Sequence, residues 1–282
     1  MTEHPDAAGS RSRSALRRRH VPAGPRERTD ITPRSRRPAM PPKRATVVAQ
    51  QIVKLIRDDK LRTGDPLPPE HEMLEMYPVG RNTLREALRV LELQGVVTIR
   101  AGRGGGPVVA APDSRHLAST LALLLQFAET PFRAVLETRS FVEPIVAQLC
   151  AERVTPELAE ELRASVAAMA AGSDDEETFL EENQRFHELL STGADNPLFS
   201  YFLNSLHWII DGVALGVRYP KRYRQAVIDA HDRICAAVTK GDGVAAAEAM
   251  RDHMTDTFRY FERKYHHVLD TTLTWEMYGS GM

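Results

Sequence analysis

From residue 114 to 268 the chain is interrupted at only six places: Thr130-Pro131, Thr155-Pro156, Gly172-Ser173, Asn196-Pro197, Tyr219-Pro220 and Gly241. Each break is a cap or breaker of helical structure. Between the breaks lie helical stretches, most of them roughly 15 to 25 residues long, at 114–127, 132–152, 155–171, 174–193, 196–216, 222–240 and 242–268. Long helices joined by short loops run antiparallel to their neighbours, so this half of the chain is expected to form an antiparallel all-helical bundle.

The segment before it follows another rule. "TVVAQQIVKLIRDDKL" places Val48, Ile52, Leu55 and Ile56 at helical spacing. Gly64-Asp65-Pro66 signals a turn, and Pro69 suits the opening turn of a short helix. A further helix starts near Gly80, runs to about Gln94 and is stopped by Gly95. The β-branched "VVTIR" reads as a strand, "GRGGG" turns the chain and "PVVAA" returns it. Three helices followed by a two-stranded hairpin is the order of a winged helix-turn-helix. The fold expected is therefore mainly α, a winged helix-turn-helix followed by the bundle.

Charge is unevenly distributed along the 282 residues, whose net charge is −1. Residues 1–44 hold eleven arginines and one lysine against four acids, which is +8 and leaves −9 for the remainder. Residues 1–40 are rich in Arg, Ser and Pro with almost no large apolar side chains, so they are expected to be a disordered basic tail with an affinity for DNA phosphates. Met40, immediately before the first periodic segment, is an alternative start. The two cysteines, Cys150 and Cys235, stand among apolar residues without metal-type spacing, as expected of core thiols in a reducing cytoplasm. No apolar run approaches the roughly 20 residues of a spanning helix, and the first 40 residues lack the apolar centre of a secretory signal. The domains expected are 1–40 (tail), 41–112 (winged helix-turn-helix), 113–268 (helical effector-binding and dimerisation domain) and 269–282 (C-terminal tail).

Within "VGRNTLREALRVLELQGVV", Arg81, Arg85 and Arg89 share one helical face, while Leu84, Leu88 and Leu91 share another. A solvated amphipathic helix has this pattern too. The preceding short helix and the basic hairpin favour DNA. A helix entering the major groove sets its N-terminal residues on base edges. Arg81, Asn82, Thr83 and Arg85 occupy that end, and arginine donates two parallel bonds to a guanine edge. Arg103 on the glycine-rich hairpin is placed to reach a phosphate or the minor groove. The stretch from Gly64 to Gly106 resembles the N-terminal domain of GntR-family transcription regulators. The resemblance implies operator contacts by Arg81, Thr83 and Arg85. The chain departs from the family pattern at Pro69-Glu70-His71, where Ser-Glu-Arg is usual, and at Pro78 and Gly80.

His187, His231 and His253 each fall inside an expected long helix beside apolar neighbours. Lone histidines there are ordinarily core residues, but three on nearby helices also suit a single divalent ion, zinc and nickel first among them. "ETRSFVEPIVAQLCAERVT", "NQRFHELLSTGADNPLF", "AHDRICAAVTKGD" and "AAAEAMRDHM" resemble the FCD ligand-binding domain of the FadR-like branch of that family. The resemblance implies metal ligands at Asn183, His187, His231 and His253, and Arg139 beside an effector pocket. Arg139 equally suits an i,i+4 ion pair with Glu143. A fixed guanidinium next to a metal suits a small organic acid. The function expected is a cytoplasmic, non-enzymatic, ligand-responsive regulator, a repressor and homodimer on a palindromic operator in double-stranded DNA. The alternatives are a metal-dependent enzyme fused to a DNA-binding module, and an architectural DNA binder with a metal-free bundle.

Overall fold

The structure, a computed structural model, describes residues 43–102, 105–209 and 215–278. The expected tail at 1–40, the alternative start at Met40, Arg103 and the end of the chain from 279 lie outside the described residues. Helices α1 (Arg44–Asp58), α2 (Glu70–Met76) and α3 (Arg81–Leu93) precede strands β1 (Val97–Arg100) and β2 (Gly106–Val109). The strands pair antiparallel, with Val97 opposite Val109 and Arg100 opposite Gly106. Leu84, Ala87, Leu88 and Leu91 recur every three or four residues on α3 and are all buried. They pack with Val48, Ala49 and Ile52 of α1 and with Val97 and Val109 of the hairpin. Each leucine buried in this way contributes about 1.5–3 kcal/mol. This small core fixes which face of α3 is left outside.

Gly95 ends α3 with φ +69°, a conformation open to glycine at little cost. The Val96 N–H then donates to the Leu91 carbonyl (2.9 Å) and closes the helix end. A Cβ built on Gly95 falls 2.2 Å from Cε1 of His116, a residue of α4 (Ser114–Phe127). Asp113 caps α4 by accepting the Arg115 backbone N–H (3.0 Å), and its own N–H donates to Nδ1 of His116 (3.4 Å). The Arg115 guanidinium pairs with the Asp113 carboxylate (2.6 Å) and lies over the Trp208 ring, 5.6 Å from its centroid.

The remaining helices are α5 (Phe132–Glu152), α6 (Pro156–Ala171), α7 (Glu176–Gly193), α8 (Pro197–Ile209), α9 (Lys221–Thr239), α10 (Gly243–Lys264), α11 (His266–Leu269) and α12 (Trp275–Tyr278). Thr155, Asp175 and Asp242 cap α6, α7 and α10 by accepting backbone N–H groups. Helix α5 is central and packs against α7, α8, α9 and α10. Phe132, Leu162, Phe186, Leu203, Ile234 and Met250 lie fully buried in a second core, separate from that of the hairpin half. Cys150 and Cys235 are buried free thiols, and burial pushes the Cys150 thiol up to about 12.

Three stretches differ from the expected pattern. The helix expected over 196–216 is described from Pro197 to Ile209 and does not extend through Gly216, which turns at φ +78°. The helix expected over 242–268 breaks at Tyr265, whose hydroxyl accepts the Arg218 N–H (3.0 Å). The chain does not leave the bundle at 269. Leu269 and Leu273 are buried, and the Leu273 N–H donates to the Thr130 carbonyl (3.0 Å). Two leucines four apart carry enough apolar surface to hold a segment whose polar residues suggest a tail.

Replacing Gly95 by Ala forces a Cβ into the His116 ring at a positive φ. A loss of about 1–3 kcal/mol in unfolding free energy is expected, read as a lower urea midpoint at unchanged m-value. An unshifted midpoint would show that His116 does not press on this turn.

Candidate nucleic-acid interface and metal centre

Helix α3 presents Arg81, Asn82, Arg85 and Arg89 to solvent, with Thr83 half-buried beside them. The structure thus gathers the four residues expected on base edges at the first two turns of one helix. Arg85 is not unattached. Its Nε donates to Oε1 of Glu70 (3.0 Å) and its Nη2 to Oε2 (3.4 Å), a two-point pair between α3 and the start of α2. Two-point pairing fixes the plane of the guanidinium. The pair is exposed, so its contribution to stability is small. Its effect is to aim the side chain. Arg100 on β1 is exposed as well.

In the bundle, α7, α9 and α10 bring His187, His231 and His253 together. Each offers one ring nitrogen, and these three nitrogens lie within 4.8 Å of one another. All three side chains are buried. Both ring nitrogens of His187 and of His231 lack a hydrogen-bond partner. Buried polar atoms are ordinarily paired, and each neutral ring has one lone-pair nitrogen, so the unpartnered rings of His187 and His231 beside His253 fit a cation that accepts one lone pair from each. Asn183, one turn before His187 on α7, lines a cavity of about 330 Å³ together with His187, His253 and Arg139. His231 lies behind, its ring stacked on Phe186 at 4.1 Å between centroids.

A second cluster meets the first at His187. Glu143 receives Nε of Arg139 on Oε1 (2.6 Å), and Nε2 of His207 lies 3.3 Å from the same oxygen. Nδ1 of His187 lies 2.7 Å from Oε2. That contact is within ion-pair distance but is out of line for a hydrogen bond, and both atoms count among the unsatisfied ones. Arg139 therefore makes the i,i+4 pair with Glu143 and also lines the cavity. His207 and the hub role of Glu143 were missed by the sequence reading. "EPIVAQLC" reads as an apolar helix around Glu143, and His207 falls outside the spacing of the three histidines.

Residues 44–105 match the bacterial regulatory proteins of the gntR family, and residues 134–256 match the FCD domain. The chain belongs to the GntR family. Among its relatives is the HTH-type transcriptional regulator YcbG of Bacillus subtilis, 29% identical over 210 residues, covering 74% of this chain and 86% of that protein. LutR of Bacillus subtilis is 26% identical over 72% of this chain and 94% of its own length. The transcriptional repressor NanR of Cronobacter sakazakii is 27% identical over 79% and 87%. The solved Streptococcus agalactiae GntR, 24% identical, superposes with a TM-score of 0.64 over 77% of this chain and 99% of its own, a likeness of fold. As a GntR-family chain with an FCD domain, this protein is a transcriptional regulator and not an enzyme. No helix among the described residues is long and apolar enough to cross a membrane.

The electrostatics of this FCD domain separate one charged carboxylate, Glu143, from the neutral imidazoles of His207, His231 and His253. Burial alone pushes the Glu143 carboxyl up, but Arg139 and then His187 outweigh it and hold the group well below the usual range. Burial, then the Arg139 charge, brings His207 down to about 3. Burial, then His187, brings His253 to about 3, and burial with His253 beside it lowers His231 well below its ordinary value. Neutral imidazoles carry the lone pairs a metal requires.

These depressions set a pH dependence for metal-free protein. In the unfolded chain the imidazoles take up protons near pH 6.5, whereas His207 and His253 in the folded chain do so only near 3. Stability is therefore full above about 6.5 and falls as the pH drops below it, by on the order of 1.4 kcal/mol per pH unit for each such group. Urea midpoints measured from pH 7.5 to 5 should decline steadily. A flat profile would mean the imidazoles are solvated. On the DNA-reading side, Arg85→Ala should weaken operator binding by about 1–3 kcal/mol in a gel-shift titration at fixed salt.

Proposed function

We propose that this GntR-family protein is a ligand-responsive repressor whose bundle holds a divalent metal, zinc or nickel, at His187, His231 and His253 with Asn183 beside them, and takes a small carboxylate at Arg139. The observation that carries the reading is the meeting of three buried imidazoles, His187 and His231 with unpartnered nitrogens and His253 beside them, at the cavity that Arg139 also lines. Bound there, a metal supplies a Lewis-acidic anchor for an anion. The chain's own residues do the rest. Arg139, planar and tied by its Nε to Glu143, presents a fixed cationic group to the carboxylate. Asn183 adds a neutral carbonyl or amide where a carboxylate would repel the ligand.

The reading extends to a homodimer in which two α3 helices address two half-sites of a palindromic operator, through Arg81, Asn82, Thr83 and Arg85. Two-fold protein symmetry pairs with two-fold DNA symmetry. The hairpin residue Arg103 belongs to the same proposed contact set. The effector acts by binding one arrangement of the bundle better than the other. A named repressor among the relatives, NanR, supports the direction of control.

The test is metal content per chain in the purified protein, with operator release followed in parallel. About one zinc or nickel per chain is expected, lost in His231→Ala while the circular-dichroism spectrum is kept. Protein whose thermal midpoint ignores chelators and added metal would overturn the metal centre and favour a bundle that serves dimerisation alone.

A further inference from the structure

We propose that the effector is an aromatic monocarboxylate. The inference rests on the carboxylate reading above and narrows it from the walls of the cavity rather than from its metal end. Aromatic residues make up 6% of the chain, yet Phe132, Phe179, Trp208, Tyr219, Tyr223 and Phe261 all line this one cavity. They form two packed groups, Phe132 with Phe261 at 5.1 Å between centroids, and Phe179, Tyr219 and Tyr223 linked at 6.1 and 5.5 Å. Trp208, one residue beyond His207 on α8, adds a separate ring. Donors and acceptors are present in the lining as well, Asn183, Gln184 and Thr257 among them, but a hydroxyl set against a ring face loses its water without exchange. A ring gains burial and stacking geometry against Trp208 and Tyr223, which remain partly exposed, while Phe132, Phe179 and Phe261 are packed in the core behind them.

Apart from the metal proposed at its histidines, the charges around the cavity favour a ligand with one carboxylate. Among the described residues lining it, Arg139 is the one Lys or Arg side chain, and its charge is already matched by Glu143 beneath. The other charged residues of the lining are Glu177 and Glu181, four apart on one face of α7 and exposed, so they sit toward the mouth. A second carboxylate extending outward from Arg139 meets those two acids. A volume of about 330 Å³ lies at the small end of ligand pockets, a size for one ring with a short acid arm rather than for a long chain.

The chain's two tryptophans make the test direct. Trp208 lines the cavity and Trp275 is half exposed on α12. In full-length Trp275→Phe protein at fixed metal loading, Trp208 emission is titrated with benzoate, phenylacetate and 4-hydroxybenzoate. Acetate, succinate, citrate and the neutral benzyl alcohol are titrated in parallel. Saturable changes with at least tenfold tighter binding for an aromatic acid than for acetate or succinate are expected. Calorimetry should show a tenfold or greater loss of that preference in Tyr223→Leu, a half-buried position whose replacement spares the inner core. Succinate or citrate binding more tightly than every aromatic acid would overturn the proposal and leave the carboxylate reading standing. Benzyl alcohol binding as well as benzoate would overturn the carboxylate reading itself. Aromatic preference unchanged in Tyr223→Leu and in Trp208→Leu would place the ring elsewhere and end the proposal.

Discussion

The buried charge of Glu143 is the constraint around which the inner bundle is arranged. A carboxylate held at 2% exposure costs several kcal/mol unless its partners are all in place. Those partners come from three helices: Arg139 from its own α5, His187 from α7 and His207 from α8. Helical register therefore has little latitude. A slide of α7 or α8 by one residue turns its imidazole by about 100° and leaves the buried carboxylate with Arg139 and one imidazole instead of two. The geometry that brings His187 within ion-pair distance of Glu143 is the same one that sets it against His231 and His253. Its own pair with Arg139 likewise fixes where a cation stands in the cavity.

Much of this arrangement was legible in the chain. The breakers at Thr130-Pro131, Thr155-Pro156 and Tyr219-Pro220 mark real helix ends, because a proline and a capping residue act through their immediate neighbours. The alternation of arginine and leucine between Arg81 and Leu91 settles which face of α3 is buried, since a 3.6-residue period admits one solution. The three histidines were visible as candidates because each sits within an apolar helical stretch. Glu143 and His207 were not visible as partners. They lie 64 residues apart in the chain, and nothing local records that their side chains meet. The buried end of the chain escaped notice for a similar reason. The segment around Leu273 is held by Thr130 and Phe132, whose backbone groups bond to Leu273 and Thr271, a contact no local pattern contains.

The departures from the usual family pattern take on physical meaning in the DNA-reading half. With Pro69 rather than serine before α2, no side chain caps the helix, and Glu70 and Glu72 in the first turn provide the favourable charge near its N-terminus. Glu70 does a second thing by reaching across to Arg85. The turn between α2 and α3 at Pro78 is thus spanned by a side-chain brace as well as by backbone.

The junction between the two cores joins them more firmly than the short stretch from Ala110 to Asp113 suggests. Arg115 touches the Trp208 ring on one side and the Asp113 cap on the other, and the imidazole bonded to that cap rests on the glycine that ends α3. Turning α8 so as to shift Trp208 must either break a cation–π contact or drag the start of α4 along with it. Two consecutive residues, Arg115 and His116, thus touch opposite sides of the junction, so the α8 ring and the end of α3 are linked through one helix start rather than through a slack tether.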